Sequence, residues 1–286
     1  MIDGKPPEPL DSFFAATLKL RWAASLFATF LIEHEEWLSC DPYGVRVQYD
    51  GIRDKSYIFA GIPNGIPGEL ACLSGDVVSN LRNSLDCAWM GVVRANGKTN
   101  KSTLPIYEKK LDHERLSEKW PINDRHDDVV DLLSNKLAAY RDFSDGGSEA
   151  LVQLNELSNW NKHNQVFLCP NVVTVPYISV DSTRCKDLQF MNAVAQNVGE
   201  TAIASVAGQI TRMEQRGSVE GFLMVGTTDV ARSAPLIDSI FIFFDYVSSA
   251  LLSFAETFPE GKSVKFQDGL LDTKRLVNEL RNKLRN

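Results

Sequence analysis

The chain has 286 residues, 44% hydrophobic and 23% charged, the balance of a globular fold with a real core rather than of a disordered or fibrous chain. Its formal net charge of −7 excludes a generally basic nucleic-acid coat, while leaving room for a local basic patch. Charge is uneven: Gly261 to Asn286 carries seven Lys/Arg against three acids, so this tail is +4 and the rest of the chain −11.

The five cysteines (Cys40, Cys72, Cys87, Cys169, Cys185) are odd in number, widely spaced and free of any C-x-x-C pair. Reduced thiols fit this pattern better than a disulfide framework or a zinc knuckle. The start, Met1-Ile2-Asp3-Gly4-Lys5-Pro6-Pro7, has neither the charged opening nor the apolar core of a signal peptide. Two segments raise the membrane question. Phe13–Leu38 contains Lys19, Arg21, Glu33, Glu35 and Glu36, and Ile237–Ala255 contains Asp245 near its middle. A mid-membrane charge costs roughly 2.5–3.5 kcal/mol on insertion scales. Both segments therefore read as core helices, and the expectation is a soluble, cytoplasmic chain with no membrane span.

In chain order, a first helix is expected from about Leu10 to Leu38, capped by Asp11 or Ser12 and stopped by Asp41-Pro42-Tyr43-Gly44. Val45–Tyr49 and Ser56–Ala60 alternate as strands and form a plausible hairpin. The Gly/Pro-rich run from Gly61 to Gly68 is a loop, followed by a second helix over Glu69 to Arg94. Lys98 to Arg125 is polar and mixed, with Leu104-Pro105-Ile106-Tyr107 inside it, and reads as a surface excursion. Helical patterns return at Asp127–Phe143 and Glu149–His163, separated by a Ser-Asp-Gly-Gly-Ser turn.

Between about 165 and 230 the texture becomes β-rich, broken by Pro, Gly and Asn, and predicts a small antiparallel sheet. Ser233-Ala234-Pro235 opens an apolar helix to about Phe258. A last helix over Asp268–Arg285 places Leu270, Val277 and Leu284 at sevenfold spacing. That stripe either packs on the chain's own core or pairs with a partner or second copy. The fold class is α+β: one domain over 1–286, with a helical core at about 10–163 and 233–286 and a β-rich insertion at about 165–230.

Two helix segments carry the polar chemistry. At roughly 100° per residue, Val77, Leu81, Leu85, Ala88, Trp89 and Val92 form an apolar face of the second helix. Arg82 and Asp86 share one flank, and Asn80, Asn83, Cys87 and Arg94 the other. Arg82 and Asp86 make an i,i+4 ion pair on the simplest reading. Cys87 is either a small buried hydrophobe or a thiol nucleophile served by His163. On the fourth helix Glu156, Asn159 and His163 share a face, with Lys162 beside them and Leu151, Leu154 and Leu157 opposite. His163 is the acid/base candidate, because histidine titrates near neutrality. Phosphate-loop, dinucleotide, nucleophile-elbow and zinc-protease signatures are missing, and His34-Glu35-Glu36 lacks a second histidine. No metal or cofactor is expected.

The run Asn80-Leu81-Arg82-Asn83-Ser84-Leu85-Asp86-Cys87-Ala88-Trp89 resembles the N-L-R-S-A-L-D-H-L-A-W helix of a group of bacterial proteins without an assigned function. Their later L-N-x-L-x-N-x-D-K-H helix is matched by Leu154-Asn155-Glu156-Leu157-Ser158-Asn159-Trp160-Asn161-Lys162-His163, and an intervening F-P-I by Leu104-Pro105-Ile106. More distantly, Arg82-Asn83-Ser84-Leu85-Asp86-Cys87 is similar to the R-[NDH]-x-x-x-H motif of HEPN helical domains, with Cys87 at the histidine position. That resemblance implies a HEPN-like bundle acting on RNA, as a metal-independent ribonuclease of a bacterial or phage conflict system. Arg82, Asn83, Cys87 and His163 would be catalytic. Asn80, Asp86, Glu156, Asn159 and Lys162 would line the binding site, which forms between two protomers in such domains. The alternative is a non-catalytic scaffold or interaction subunit of a defence or toxin–antitoxin type complex.

Overall fold

A computed structural model describes residues 9–62, 65–95, 103–110, 126–163, 168–196, 202–217, 220–225, 235–259 and 263–284. Among these the chain is α+β, with six α-helices and seven strands. It divides into two compact units. One takes residues 1–29, 72–165 and 238–286, and the other 30–71 and 166–237. The sequence pattern suggested a single domain with a β-rich insertion. The structure groups the early hairpin with that insertion, and the division falls inside three of the helices.

Helix α1 (Pro9–Ser39) starts two residues ahead of the expected caps. Proline suits a first helical turn because its missing N–H would be unpaired there anyway. The helix stops where Asp41 takes a left-handed φ of 51° before Pro42, a conformation that aspartate tolerates. Helix α2 (Gly68–Ala95) and helix α4 (Glu149–His163) match their expected spans closely. The expected apolar face of α2 is the buried one, with Val77, Leu81, Leu85, Ala88 and Trp89 fully enclosed.

Helix α3 departs from expectation. It runs only from His126 to Asp131, and one π-helical turn (Leu132–Lys136) ends it well before Phe143. Ala138 then takes a φ of 47°. The following residues pair with Tyr107 instead of continuing the helix, through Tyr107 N–H to Ala139 O (2.9 Å) and Arg141 N–H to Tyr107 O (2.8 Å). The turn before α4 needs its glycines: Gly146 has a φ of 88°, and a Cβ on Gly147 would lie 2.4 Å from the Tyr140 carbonyl oxygen.

Helix α5 (Leu236–Thr257) and helix α6 (Val264–Lys283) complete the set. The expected Ser233 cap of α5 lies outside the described residues. Helix α6 begins about a turn earlier than its pattern suggested, because Ser263 Oγ accepts from Phe266 N–H at 3.1 Å and serves as a side-chain cap. Leu270 and Val277 of its stripe are buried within the chain, while Leu284 is 50% exposed.

By length and composition α1 and α5 could each cross a membrane, with mean hydropathies of 1.3 and 1.5 over an 18-residue window inside Phe13–Ser39 and Leu236–Thr257. Within the helical unit their apolar faces meet. Phe13 packs edge-on against Phe254 (6.3 Å), and Phe27 against Phe241 (5.1 Å). Such pairs add about 0.5–1.5 kcal/mol each beyond their buried area. Helix α4 closes onto α2 where Asn161 Nδ2 donates to Ser79 Oγ (3.0 Å). A Cβ on Gly75 would meet Asn161 Oδ1 at 2.1 Å, so that approach requires glycine.

The second unit holds two antiparallel sheets. Strands β1 (Gly44–Asp50) and β2 (Lys55–Gly61) form the expected hairpin, and β5 (Ala204–Ala207) pairs with the free edge of β2. The second sheet is built on the long β3 (Leu168–Ser182). Strand β4 (Leu188–Gln196) lies on one edge of it, and β6 (Ile210–Arg216) then β7 (Glu220–Val225) follow each other along the other. The gap between β6 and β7 falls opposite Pro176, which has no N–H for the ladder. Both sheets contribute to one core around Tyr43, Ile58, Ala60, Val175, Ile178, Val180 and Val206.

The α1 end that belongs to this unit adds an aromatic ladder: Phe30 stacks on His34 (5.7 Å), His34 meets Trp37 (5.9 Å), and Trp37 meets Tyr43 (5.7 Å). Burial pulls the His34 pKa below its usual value. The unfolded chain therefore binds the proton more readily than the native one, so stability is full above the unfolded pKa near 6.5 and falls as pH drops through it. Acidification from neutrality toward pH about 5 should lower the melting temperature, and His34→Gln should flatten that slope, read by thermal melts across the range.

Candidate functional site

The two polar segments meet through Arg82. It lies on α2 one turn before Asp86 and is only 3% exposed. Nη1 donates to Asp86 Oδ1, Nε donates to Asn155 Oδ1 on α4 at 3.0 Å, and Nη2 donates to the Leu104 carbonyl at 2.7 Å. Asp86 Oδ1 also accepts the Leu104 N–H at 2.8 Å. The ion pair thus captures both backbone polar groups of Leu104, whose own side chain is buried. Leu104 is consequently docked on α2 and Tyr107 pairs with Ala139 and Arg141, where the sequence suggested a surface excursion.

Burial dominates the electrostatics. It pushes the Asp86 carboxyl up, against the opposing pull of Arg82, the Leu104 N–H and the charge of Lys162. It also pulls Arg82 below its ordinary value, although a guanidinium keeps its proton in a protein. Tyr246 on α5 adds a hydroxyl that donates to Leu137 O at 2.8 Å, with its pKa raised by burial. A buried guanidinium with all three nitrogens engaged is a structural tie between α2, α4 and the 103–110 segment.

The other predicted residues are dispersed around this tie. Asn80 Nδ2 donates to Asp76 O (2.8 Å), and its Oδ1 accepts from Lys19 (3.5 Å). Asn83 and Cys87 are half-buried. Burial raises the Cys87 thiol above its usual pKa, outweighing the pull of Lys19 and Arg94, so it is a thiol rather than a thiolate at neutral pH. Glu156 accepts from Arg141, which also pairs with Glu108 at 3.4 Å. Asn159 and Lys162 are exposed. His163 is the last residue of α4, and its side chain lies outside the described residues, as does its relation to Cys87. Among the described residues no three His, Cys, Asp or Glu stand together to hold a metal ion.

Sequence reasoning passed over Asn155, Arg141 and Tyr246. Asn155 had a visible signal, a lone amide between Leu154 and Leu157 beside the apolar face of its helix. Tyr246 and Arg141 had none, since their partners come from distant parts of the chain. No family model, no curated protein and no solved structure matches this chain.

Two outcomes follow from this geometry. Arg82→Met should cost about 3–5 kcal/mol in urea unfolding, because it leaves a buried carboxylate and a carbonyl unpaired. Arg82→Lys should recover part of that loss by keeping a charge without the three-way fork. A loss under about 1 kcal/mol for Met would contradict the structural role. Separately, alkylation at neutral pH mapped by mass spectrometry should label the exposed Cys40 and Cys72 well before Cys87.

Proposed function

We propose that the chain is a non-catalytic, HEPN-like scaffold or interaction subunit, cytoplasmic and working in a complex of the defence or toxin–antitoxin kind. The observation that carries this reading is the engagement of Arg82 with Asp86, Asn155 and Leu104. In the nuclease reading Arg82 would stabilise phosphate charge, which demands access to a solvent-side phosphate. A 3% exposed guanidinium would first have to leave three partners.

Two further features support the same side. Cys87 stands at the position where the resembling motif places its proton-transferring histidine, and its raised pKa suits a packing role. Asp245, near the middle of α5, 63% exposed and paired with Arg281 at 2.8 Å, supports a cytoplasmic rather than a membrane-spanning chain. The conflict-system setting comes from the resemblance alone.

The test is RNA cleavage by the purified protein, beside Arg82→Lys and His163→Ala variants. The expected result is no cleavage above background in any of them. Cleavage that disappears in His163→Ala, with an unchanged melting temperature, would restore the ribonuclease reading and remove this one.

A further inference from the structure

The outer face of the three-stranded sheet has a chemistry unlike the core beneath it. Strand β2 alternates strictly, with Ser56, Ile58 and Ala60 buried and Tyr57 and Phe59 on the opposite face. Two residues apart on one strand, those side chains emerge roughly 7 Å from each other. The hairpin register sets Arg46 across from Phe59 and Gln48 across from Tyr57. The Arg46 guanidinium lies 4.5 Å from the Phe59 ring centroid. Arg53, with a side chain 71% exposed, interacts electrostatically with the Tyr57 side chain. Opposite Tyr57 the third strand places only Ser205, a small exposed residue. Gln48, Arg53, Tyr57, Phe59 and Ala202 line one open depression here.

The charge of this face runs against that of the chain. Among the described residues, Arg46, Arg53 and Lys55 share this face with the carboxylate of Asp50, whose Oδ2 lies 3.8 Å from Arg53 Nε. Asp50 Oδ1 already accepts from the backbone N–H groups of Ile52 (3.0 Å) and Arg53 (3.2 Å). Asp54, at the end of the turn, is paired with Arg184 and accepts from Tyr49 at 2.8 Å. A locally cationic face with two aromatic side chains thus stands on a protein of net charge −7.

We propose that this face binds single-stranded nucleic acid, with unpaired bases stacking on Tyr57 and on the Arg46–Phe59 pair and backbone phosphates drawn to Arg53 and Lys55. Planar rings and guanidinium planes are what splayed bases stack on, and cationic side chains track the phosphates. A duplex keeps its base faces inside its own stack and could use only the charges. An acidic protein surface would likewise leave the rings idle. The inference draws on the β unit alone and is independent of whether the helical unit is catalytic.

The experiment is fluorescence anisotropy of labelled oligo-U and oligo-dT with the full chain, alongside a duplex and polyglutamate as competitor. Single strands should bind, with affinity falling as salt rises. Tyr57→Ala and Phe59→Ala should each weaken binding roughly tenfold, in line with the loss of one stacked base. Tyr57→Phe and Phe59→Tyr should retain it, and circular dichroism should show all four variants folded. Absence of binding by the unaltered chain overturns the proposal. So do unchanged affinity in folded alanine variants, equal binding of the duplex, and displacement by polyglutamate at equal charge.

Discussion

The helical unit depends on one buried cation. A guanidinium taken out of water costs several kcal/mol unless its charge and donors are met. Arg82 meets that requirement with groups from three separated segments, Asp86 on its own helix, Asn155 on α4, and the Leu104 carbonyl. Because Asp86 also takes the Leu104 N–H, neither partner can shift without leaving the other's hydrogen bonds unmade. The pair therefore fixes a chain segment with no helix of its own against two helices that could otherwise slide.

What was legible in the sequence follows from where each signal is stored. Helices α2 and α4 are long, amphipathic and bounded by glycine or a turn, so their periodicity alone locates them. The β1–β2 hairpin is equally local. Helix α3 misled because Ala139 and Arg141 bond to Tyr107, some thirty residues earlier, and no window of sequence contains both. The segment of β5 read as β-rich, but its pairing with the hairpin was hidden for the same reason: Ser56 pairs with Val206, and its hydroxyl accepts from Ile210 N–H at 3.0 Å while donating to Gly208 O at 2.8 Å. That one buried hydroxyl ties the hairpin to the turn between β5 and β6. An alternating pattern records only that its face is covered.

The candidate site was half legible. The i,i+4 spacing of Arg82 and Asp86 predicted their ion pair, which forms. Its burial was not predictable from a helical wheel, since both residues sit on the flank of the apolar face, and the Leu104 segment is what covers them. A flank residue is exposed or buried according to what the rest of the chain lays across it.

The three stretches on which the resemblance rests are the ones Arg82 joins: the part of α2 around Asn80–Trp89, the Leu104-Pro105-Ile106 segment and the part of α4 from Leu154 to His163. A recurring pattern of arginine, aspartate and asparagine is usually read as chemistry, because those residues handle phosphate and protons. Here the same types satisfy one another and a stretch of backbone around a guanidinium that is almost fully buried. A buried polar network specifies its geometry tightly, since a partner lost leaves a charge or a carbonyl unpaired. Folding alone is thus enough to demand these residues at this spacing. Cys87, one residue beyond Asp86, is half-buried and burial holds its thiol protonated, so in this network it behaves as a small apolar side chain.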